Sequence, residues 1–395
     1  MNCKRFLVLL LVLIVILGLF AGCTKPDADA GGEPEVEPAV DFVVDVESGR
    51  DPVILQFTDT QIIDTAQMRT PDRLTGEVVD YWGADKLEDR CFKYLRETVN
   101  AVKPDLILMT GDNVYGQFDD RGTSLQALIE VMESFGIPWA PILGNHDTET
   151  AKGVDWQCEQ YVNAKHCLFK QRELSGNGNY TVGIRQNGKI TRVFFMLDTH
   201  STKPGVESMA NGHTKPGCGF EQDQIDWYTA AVARIRQEIA PDVKLSFAFH
   251  VPMDTFVMPL SNYNFYDSTI ESPFKTILID EHPNRKPGDF GIINSDFKGF
   301  DVGGAAWNTL CELGVDSVFV GHEHAISLGI RYQGIYIQFG QKSSAYDAIN
   351  YQTPSGAYVC SFEDQGMPQV GGTVFTLSEA DGTIRDPYIY LCKTE

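Results

Sequence analysis

The stretch that most constrains this chain runs from Asp105 to Asp147, where two short apolar runs stop abruptly in polar residues. Leu106–Met109 ends in Gly111-Asp112-Asn113, and Trp139–Leu143 ends in Gly144-Asn145-His146-Asp147. Between them, Ser124–Phe135 carries Leu125, Leu128, Ile129, Met132 and Phe135 at helical spacing, with Gly136 as its stop. The pattern predicts a strand–helix–strand unit. Its polar residues fall at the carboxyl ends of both strands, where open α/β sheets place ligands.

The same arrangement recurs along the chain. Val53–Phe57 reads as a strand delivering Asp59 and Gln61, Lys244–Phe249 delivers His250, and Ser317–Val320 delivers Gly321-His322-Glu323-His324. Helices are expected over Leu87–Val102, Glu221–Ile239 and Ala305–Leu313, and a hairpin joins Asn179–Arg185 to Arg192–Leu197 through Asn187-Gly188. Tail strands are expected over Ile330–Phe339, Ala357–Phe362, Gly372–Ser378 and Tyr388–Leu391. Asp198–Gly219 and Val251–Phe300 read as long loops, and loops of that length in a compact domain are usually functional. Their Tyr263, Tyr266, Phe290, His200 and His213 suit a lid over a substrate, or plain loop packing.

Each polar cluster alone is common in proteins with no metal. Together, Asp59, Gln61, Asp112, Asn145, His146, His250, His322 and His324 all follow β-type runs, and parallel strand ends converge on one rim. Carboxylates, imidazoles and an amide oxygen form a mixed O/N set suited to Zn, Mn or Fe rather than Ca alone. The donors exceed what one ion needs, so a shared carboxylate and two ions are expected. No G-x-S-x-G elbow or P-loop offers a covalent or phosphate-cradling alternative.

In this order the clusters resemble the calcineurin-like metallophosphoesterase superfamily, whose pattern is D-x-H, GD, GNH(D/E), H and GHxH, each after a strand. The resemblance covers essentially Asp51 to the C-terminus. Lys103-Pro104-Asp105, Gly136-Ile137-Pro138-Trp139, Gly178-Asn179-Tyr180, Gln224-Ile225-Asp226-Trp227 and His250-Val251-Pro252 bring it nearest to the single-domain, purple-acid-phosphatase-like subgroup. The resemblance implies an α/β fold, a four-layer α/β/β/α sandwich with two mixed sheets. It also implies two metal ions, Fe, Mn or Zn. Metal one would take Asp59, Asp112 and His324. Metal two would take Asp112, Asn145, His250 and His322, with Asp112 bridging. His146 would sit beside the leaving group, and Asp147 would orient it. The activity implied is hydrolysis of a phosphate monoester or diester, on a small phosphorylated substrate such as a nucleotide or sugar phosphate. Two cations roughly 3.5–4 Å apart acidify a bridging water and hold the phosphoryl oxygens for in-line attack.

One position departs from the pattern. Where the family has D-x-H, this chain has Asp59-Thr60-Gln61, so one imidazole is missing. Gln61 can bind through its amide oxygen. Alternatively Tyr115 contributes, because Gly111-Asp112-Asn113-Val114-Tyr115 fits the G-D-x-x-Y of true purple acid phosphatases, whose Tyr binds ferric iron; a packed aromatic is the other reading. The loss at Gln61 is also the one feature favouring a non-catalytic binding lipoprotein on the same fold.

The N-terminus suggests export. Lys4 and Arg5 precede the apolar run Phe6–Phe20, followed by Ala21-Gly22-Cys23. That is the order of a secretory signal, and the run is shorter than the roughly 20 residues of a spanning helix. The small-small-Cys ending resembles the bacterial lipobox, which makes residues 1–22 a lipoprotein signal peptide and Cys23 the lipid-carrying residue of a membrane-anchored, extracytoplasmic protein. Cleavage after Ala28-Asp29-Ala30 is the competing reading. Residues 23–48, rich in Asp, Glu, Pro and Ala, read as an acidic flexible tether before a catalytic domain over 49–395. The formal charge of −22 disfavours polyanion binding, so no nucleic-acid surface is expected. Of nine cysteines, Cys158 and Cys167 are spaced for a pairing that spacing alone does not establish, and buried thiols are the alternative.

Overall fold

Near-continuous apolar runs make strands covered on both faces, and runs of helical period make their covers. The computed structural model describes residues 37–67, 87–200, 218–263, 277–293, 299–300, 304–344, 350–352, 358–360 and 370–392. The chain divides into two units, Met1–Pro38 and Ala39–Glu395, and every element below belongs to the second. The secretory segment, Cys23, most of the tether, Tyr266 and His213 lie outside the described residues.

In chain order the first elements are β1 (Phe42–Asp45), β2 (Val53–Phe57), α1 (Leu87–Val102), β3 (Leu106–Thr110), α2 (Thr123–Ser134) and β4 (Trp139–Ile142). Then come α3 (Val154–Asn163), β5 (Tyr180–Gln186), β6 (Lys189–Met196), α4 (Gln222–Glu238), β7 (Lys244–Ala248), β8 (Ile277–Leu278) and β9 (Phe290–Ile293). The last are α5 (Ala305–Glu312), β10 (Ser317–Val320), β11 (Ile326–Tyr332), β12 (Ile335–Phe339), β13 (Asn350–Gln352), β14 (Tyr358–Cys360), β15 (Gly371–Leu377) and β16 (Ile384–Leu391). One sheet runs β16-β15-β2-β3-β4, with β2, β3 and β4 parallel. A second runs β1-β5-β6-β7-β10-β12-β11-β9-β8, with β6, β7, β10 and β12 parallel at its centre, antiparallel pairs on either side of them and β1 parallel to β5, while β13 and β14 pair with each other.

The two mixed sheets pack face to face. Phe319 of β10 stacks on Phe375 of β15 with ring centres 4.8 Å apart. Helices α1, α2 and α3 cover the shorter sheet, burying Cys91, Leu95, Leu128, Met132 and Tyr161. On the longer sheet α4 and α5 bury Tyr228, Val232, Ile235, Trp307 and Leu310. This is the expected α/β/β/α sandwich. Between the sheets, just under their carboxyl ends, Gln56 is fully buried and fully satisfied. Its Nε2 donates to Thr110 Oγ1 (2.9 Å) and the Val320 carbonyl (3.0 Å), and its Oε1 accepts from Gln338 Nε2 (2.7 Å). A buried amide so paired ties the two sheets in one register at the rim.

Several expectations are corrected. The tether does not extend to residue 48, because Phe42–Asp45 pairs in parallel with β5 and the buried Asp41 carboxylate binds Lys170, Arg172 and Thr181. Acidic composition hid a strand whose charges are paired. Ile330–Phe339 is two antiparallel strands rather than one, since Gln333 and Gly334 both adopt positive φ and turn the chain. The stretch Val251–Phe300 is no uniform loop: it holds β9, paired with β11, and the edge strand β8. Tyr263 is buried there, its hydroxyl donating to Asp289, and Phe290 lies in β9, so neither serves as a lid. His200 is tied back to Gln224 at 3.1 Å. Helix α3 had no counterpart in the sequence reading, because only Gln157, Cys158 and Tyr161 of its ten residues are buried and its apolar stripe is short. Cys158 and Cys167 are free and buried, and burial pushes the Cys158 thiol up to about 12.

Glu88, in the first turn of α1, is half-buried beside α2. Burial raises its carboxyl most; the Ser124 hydroxyl pulls it back, and Asp64, Asp119 and Asp89 push it further, to about 7. From an ordinary value of 4.5 up to about 7, the folded chain holds a proton that the unfolded chain releases. Its contribution to stability is therefore lost as pH rises through that window. Glu88→Gln is expected to raise the thermal midpoint at pH 8, with the gain vanishing below pH 4.5; thermal unfolding of both proteins from pH 4 to 8 checks it.

Candidate metal centre

The rim where the sheets meet collects the strand ends. From the shorter sheet β2 leads to Asp59 and Gln61, β3 to Asp112, and β4 to Asn145 and His146. From the longer sheet β7 leads to His250 and β10 to His322 and His324. Four of these leave their strands with positive φ: Asp59 (50°), Gln61 (41°), Asp112 (50°) and His322 (73°). Non-glycine residues pay about 1–2 kcal/mol each for that conformation, and such strain clusters at functional sites. Neighbouring strand ends hold it in place. The Asp59 N–H donates to the Gly111 carbonyl (3.0 Å), and the Gln61 N–H to the Asp112 carbonyl (2.9 Å).

The crossing is close enough to demand glycine. A Cβ on Gly111, whose φ is +88°, would stand 2.6 Å from His250 Nδ1, and one on Gly144 would collide with the Asp112 carboxylate and amide. These glycines let the carboxylate of one loop and the imidazole of the other sheet approach across the rim.

Asp112 lies at the centre. Its Oδ1 accepts the His146 N–H at 2.8 Å, and its Oδ2 stands 3.3 Å from both His250 Nε2 and Gln61 Nε2. Asp59 places Oδ1 3.1 Å from His324 Nε2, while its Oδ2 accepts the Thr58 hydroxyl and the His322 N–H. His322 Nδ1 is 3.3 Å from His250 Nε2. The donor atoms of Asp112, His250 and His322 lie within 4.8 Å of one another, and so do those of Asp59, Asp112 and His324. Asp112 belongs to both groups.

Whether cations fit is decided by the remaining polar atoms. Gln61 Oε1 and Asn145 Oδ1 are buried with no hydrogen-bond partner among the described residues. Leaving such oxygens bare costs about 1–3 kcal/mol each, which a cation beside them would offset. His250 directs Nδ1 to the Thr110 carbonyl at 2.8 Å, which fixes the tautomer and leaves Nε2 as the ligating nitrogen. Carboxylate, amide oxygen and imidazole are the donors Zn, Mn and Fe take. The residues fit two cations sharing Asp112.

Charge supports the same arrangement. Burial alone would raise the Asp112 carboxyl, but His250, His146 and His322 hold it well below the usual carboxylate range. Burial likewise depresses His250, yet Asp112 and then Asp59 raise it to about 9. A cation held by Nε2 would take the place of that proton.

The roles assigned to the GNHD run are partly corrected. Asp147, expected to orient His146, instead accepts three backbone amides: Asn113 and Val114 on Oδ1 (both 3.0 Å) and Gly144 on Oδ2 (2.7 Å). It pins the β3 and β4 loops together. Burial, then the Asp112 charge, push it up to about 7 against those donors. The carboxylate at His146 is Glu149, whose Oε2 stands 3.0 Å from Nδ1. Reading the sequence alone missed it, although its place three residues on, within one helical turn, was a usable signal. The Tyr115 ring stacks on His146 with centres 4.0 Å apart.

A family model described as calcineurin-like phosphoesterase matches residues 52–325. A probable inactive purple acid phosphatase 28 from Arabidopsis thaliana is 44% identical over 177 residues, covering 41% of this chain and 44% of that protein. Phosphatase DCR2 of Saccharomyces cerevisiae is 27% identical over 244 residues, covering 61% of this chain and 39% of that protein. The chain thus spans less than half the length of these two relatives. Among solved structures, a dimetal phosphatase from Danio rerio is 10% identical with a TM-score of 0.41, covering 83% of this chain and 93% of that one. The architecture above rests on the strand order of this chain.

Asp147→Ala deprives three buried amides of their acceptor. A loss of about 3 kcal/mol in urea unfolding is expected, with a smaller loss for Asp147→Asn, which keeps one acceptor oxygen.

Proposed function

Because the chain belongs to the calcineurin-like phosphoesterase family, matched over residues 52–325, we propose that it hydrolyses phosphate esters at a two-metal centre. One observation carries the reading: a single buried carboxylate, Asp112, belongs to both donor groups. Asp59, Asp112 and His324 would hold one ion, with the Gln61 amide, whose Nε2 faces Asp112 and His324, beside it, and Asp112, Asn145, His250 and His322 would hold the other. When bound, two such ions supply Lewis-acid activation of water and of the phosphoryl oxygens.

The chain's own groups do the rest. The His146 N–H fixes the Asp112 carboxylate. The His146 side chain stands beside the leaving oxygen and protonates it as the P–O bond breaks, a contribution of about 10²–10⁴ in rate for a well-placed general acid. Asp147 holds the two loops that carry these groups. The substrate is a small phosphorylated molecule such as a nucleotide or sugar phosphate, since a formal charge of −22 repels long polyanions. Export and lipid attachment at Cys23 are part of the same proposal, supported by Lys4, Arg5, the apolar run Phe6–Phe20 and Ala21-Gly22-Cys23.

A second reading, a non-catalytic binding lipoprotein, is favoured by Gln61 at the imidazole position and by the word inactive in the name of the Arabidopsis thaliana relative. His146 and its surroundings favour catalysis, because a binding module has no use for a leaving-group acid. The experiment is hydrolysis of a chromogenic monoester and a diester after chelation and reconstitution with Mn, Zn or Fe. Metal-dependent turnover is expected, abolished in Asp112→Ala and at least about a hundredfold lower in His146→Ala. Full activity in either variant rejects the assignment.

A further inference from the structure

His146 is held by its backbone and by one edge and one face of its ring, and the residues at the ring, Tyr115 and Glu149, have no part in the metal groups. Its N–H donates to Asp112 Oδ1, and its carbonyl accepts the Gly116 N–H at 3.0 Å and the Glu149 N–H at 3.2 Å. The backbone of His146 is thus fixed relative to the shared ligand. The ring has two further contacts. Tyr115, itself 6% exposed, covers one face at 4.0 Å with an interplanar angle of 25°, and Glu149 Oε2 meets Nδ1 at 3.0 Å. Glu149 ends the short 3₁₀ turn Asp147–Glu149, which brings its side chain back over His146, the residue just before the turn.

We propose that Glu149 is a positioning residue that sets His146 for proton delivery to the leaving oxygen. The role rests on the phosphohydrolase reading above. With Nδ1–H donated to Glu149, Nε2 is the nitrogen that carries the transferable proton. As the P–O bond to the leaving group breaks, its electron pair goes to the leaving oxygen, which takes the proton from Nε2. The attacking water forms the new P–O bond, and its own proton passes to solvent. Glu149 touches neither phosphorus nor the leaving oxygen. Its carboxylate selects which ring nitrogen faces the ester, and the Tyr115 ring keeps the imidazole from rotating away. Asp147 is unsuited to this role, because both its oxygens are occupied by backbone amides.

A group acting through the leaving-group acid matters only where the leaving oxygen needs a proton. p-Nitrophenolate departs without one, whereas an alkoxide does not. The test compares Glu149→Gln with wild type, both full length and loaded with Mn(II), on p-nitrophenyl phosphate and on glycerol phosphate. The expected loss in kcat on glycerol phosphate is at least about tenfold greater than on the aryl ester. KM and the content of bound Mn(II) are expected to stay at the wild-type level, and His146→Ala to show the same leaving-group pattern in larger measure. Equal losses on both esters, a fall in bound Mn(II), or no loss on glycerol phosphate would overturn the positioning role alone. Wild-type protein that holds Mn(II) and hydrolyses neither ester would overturn the phosphohydrolase reading, and this role with it.

Discussion

The structure depends on where Asp112 is held. A lone buried carboxylate is costly by several kcal/mol, and this one survives by facing His250 from one sheet while accepting the His146 N–H from the other strand loop. It ties the sheets together only if the two loops cross within contact distance. Glycine at positions 111 and 144 allows that crossing, and the left-handed backbone of Asp59, Gln61, Asp112 and His322 pays for it. Local strain at the rim is offset by the two apolar cores beneath, which the stacked pair Phe319 and Phe375 joins.

The strand-end chemistry was legible in the sequence because each functional residue follows directly on an apolar run. That pattern needs no distant partner to be recognised. Asp59, Asp112, Asn145, His250, His322 and His324 accordingly lie where their runs put them. What stayed hidden depends on contacts across the fold. Arg192 is fully buried, yet nothing near it in sequence announces Asp316, Ser246 and Ser317, which bind its guanidinium. Gln56 interrupts an apolar strand and reads as a flaw until Gln338, Thr110 and Val320 are brought to it. The strand Phe42–Asp45 was masked by acidic neighbours whose partners, Lys170 and Arg172, lie well over a hundred residues away.

Motif residues and roles came apart in two places. Asn179 and Gln224, two of the positions that marked the subgroup, meet each other at 2.8 Å and bind no part of the metal groups. They join the start of β5 to α4, and Gln224 also closes the capping box of that helix with Glu221. Asp147, adjacent to His146 in sequence, points to backbone, and Glu149, two residues further on, takes the imidazole. Sequence adjacency indicates which loop a residue is on. The turn geometry of that loop decides which side chain reaches which atom.

The central claim is that two ions share one carboxylate, and anomalous diffraction from crystals of the metal-loaded protein, collected at the edge of the loaded metal, tests it most directly. Two peaks flanking the Asp112 carboxylate are expected, one beside Asp59 and His324 and the other beside His250, His322 and Asn145. A single peak, or two peaks of which only one touches Asp112, would contradict it.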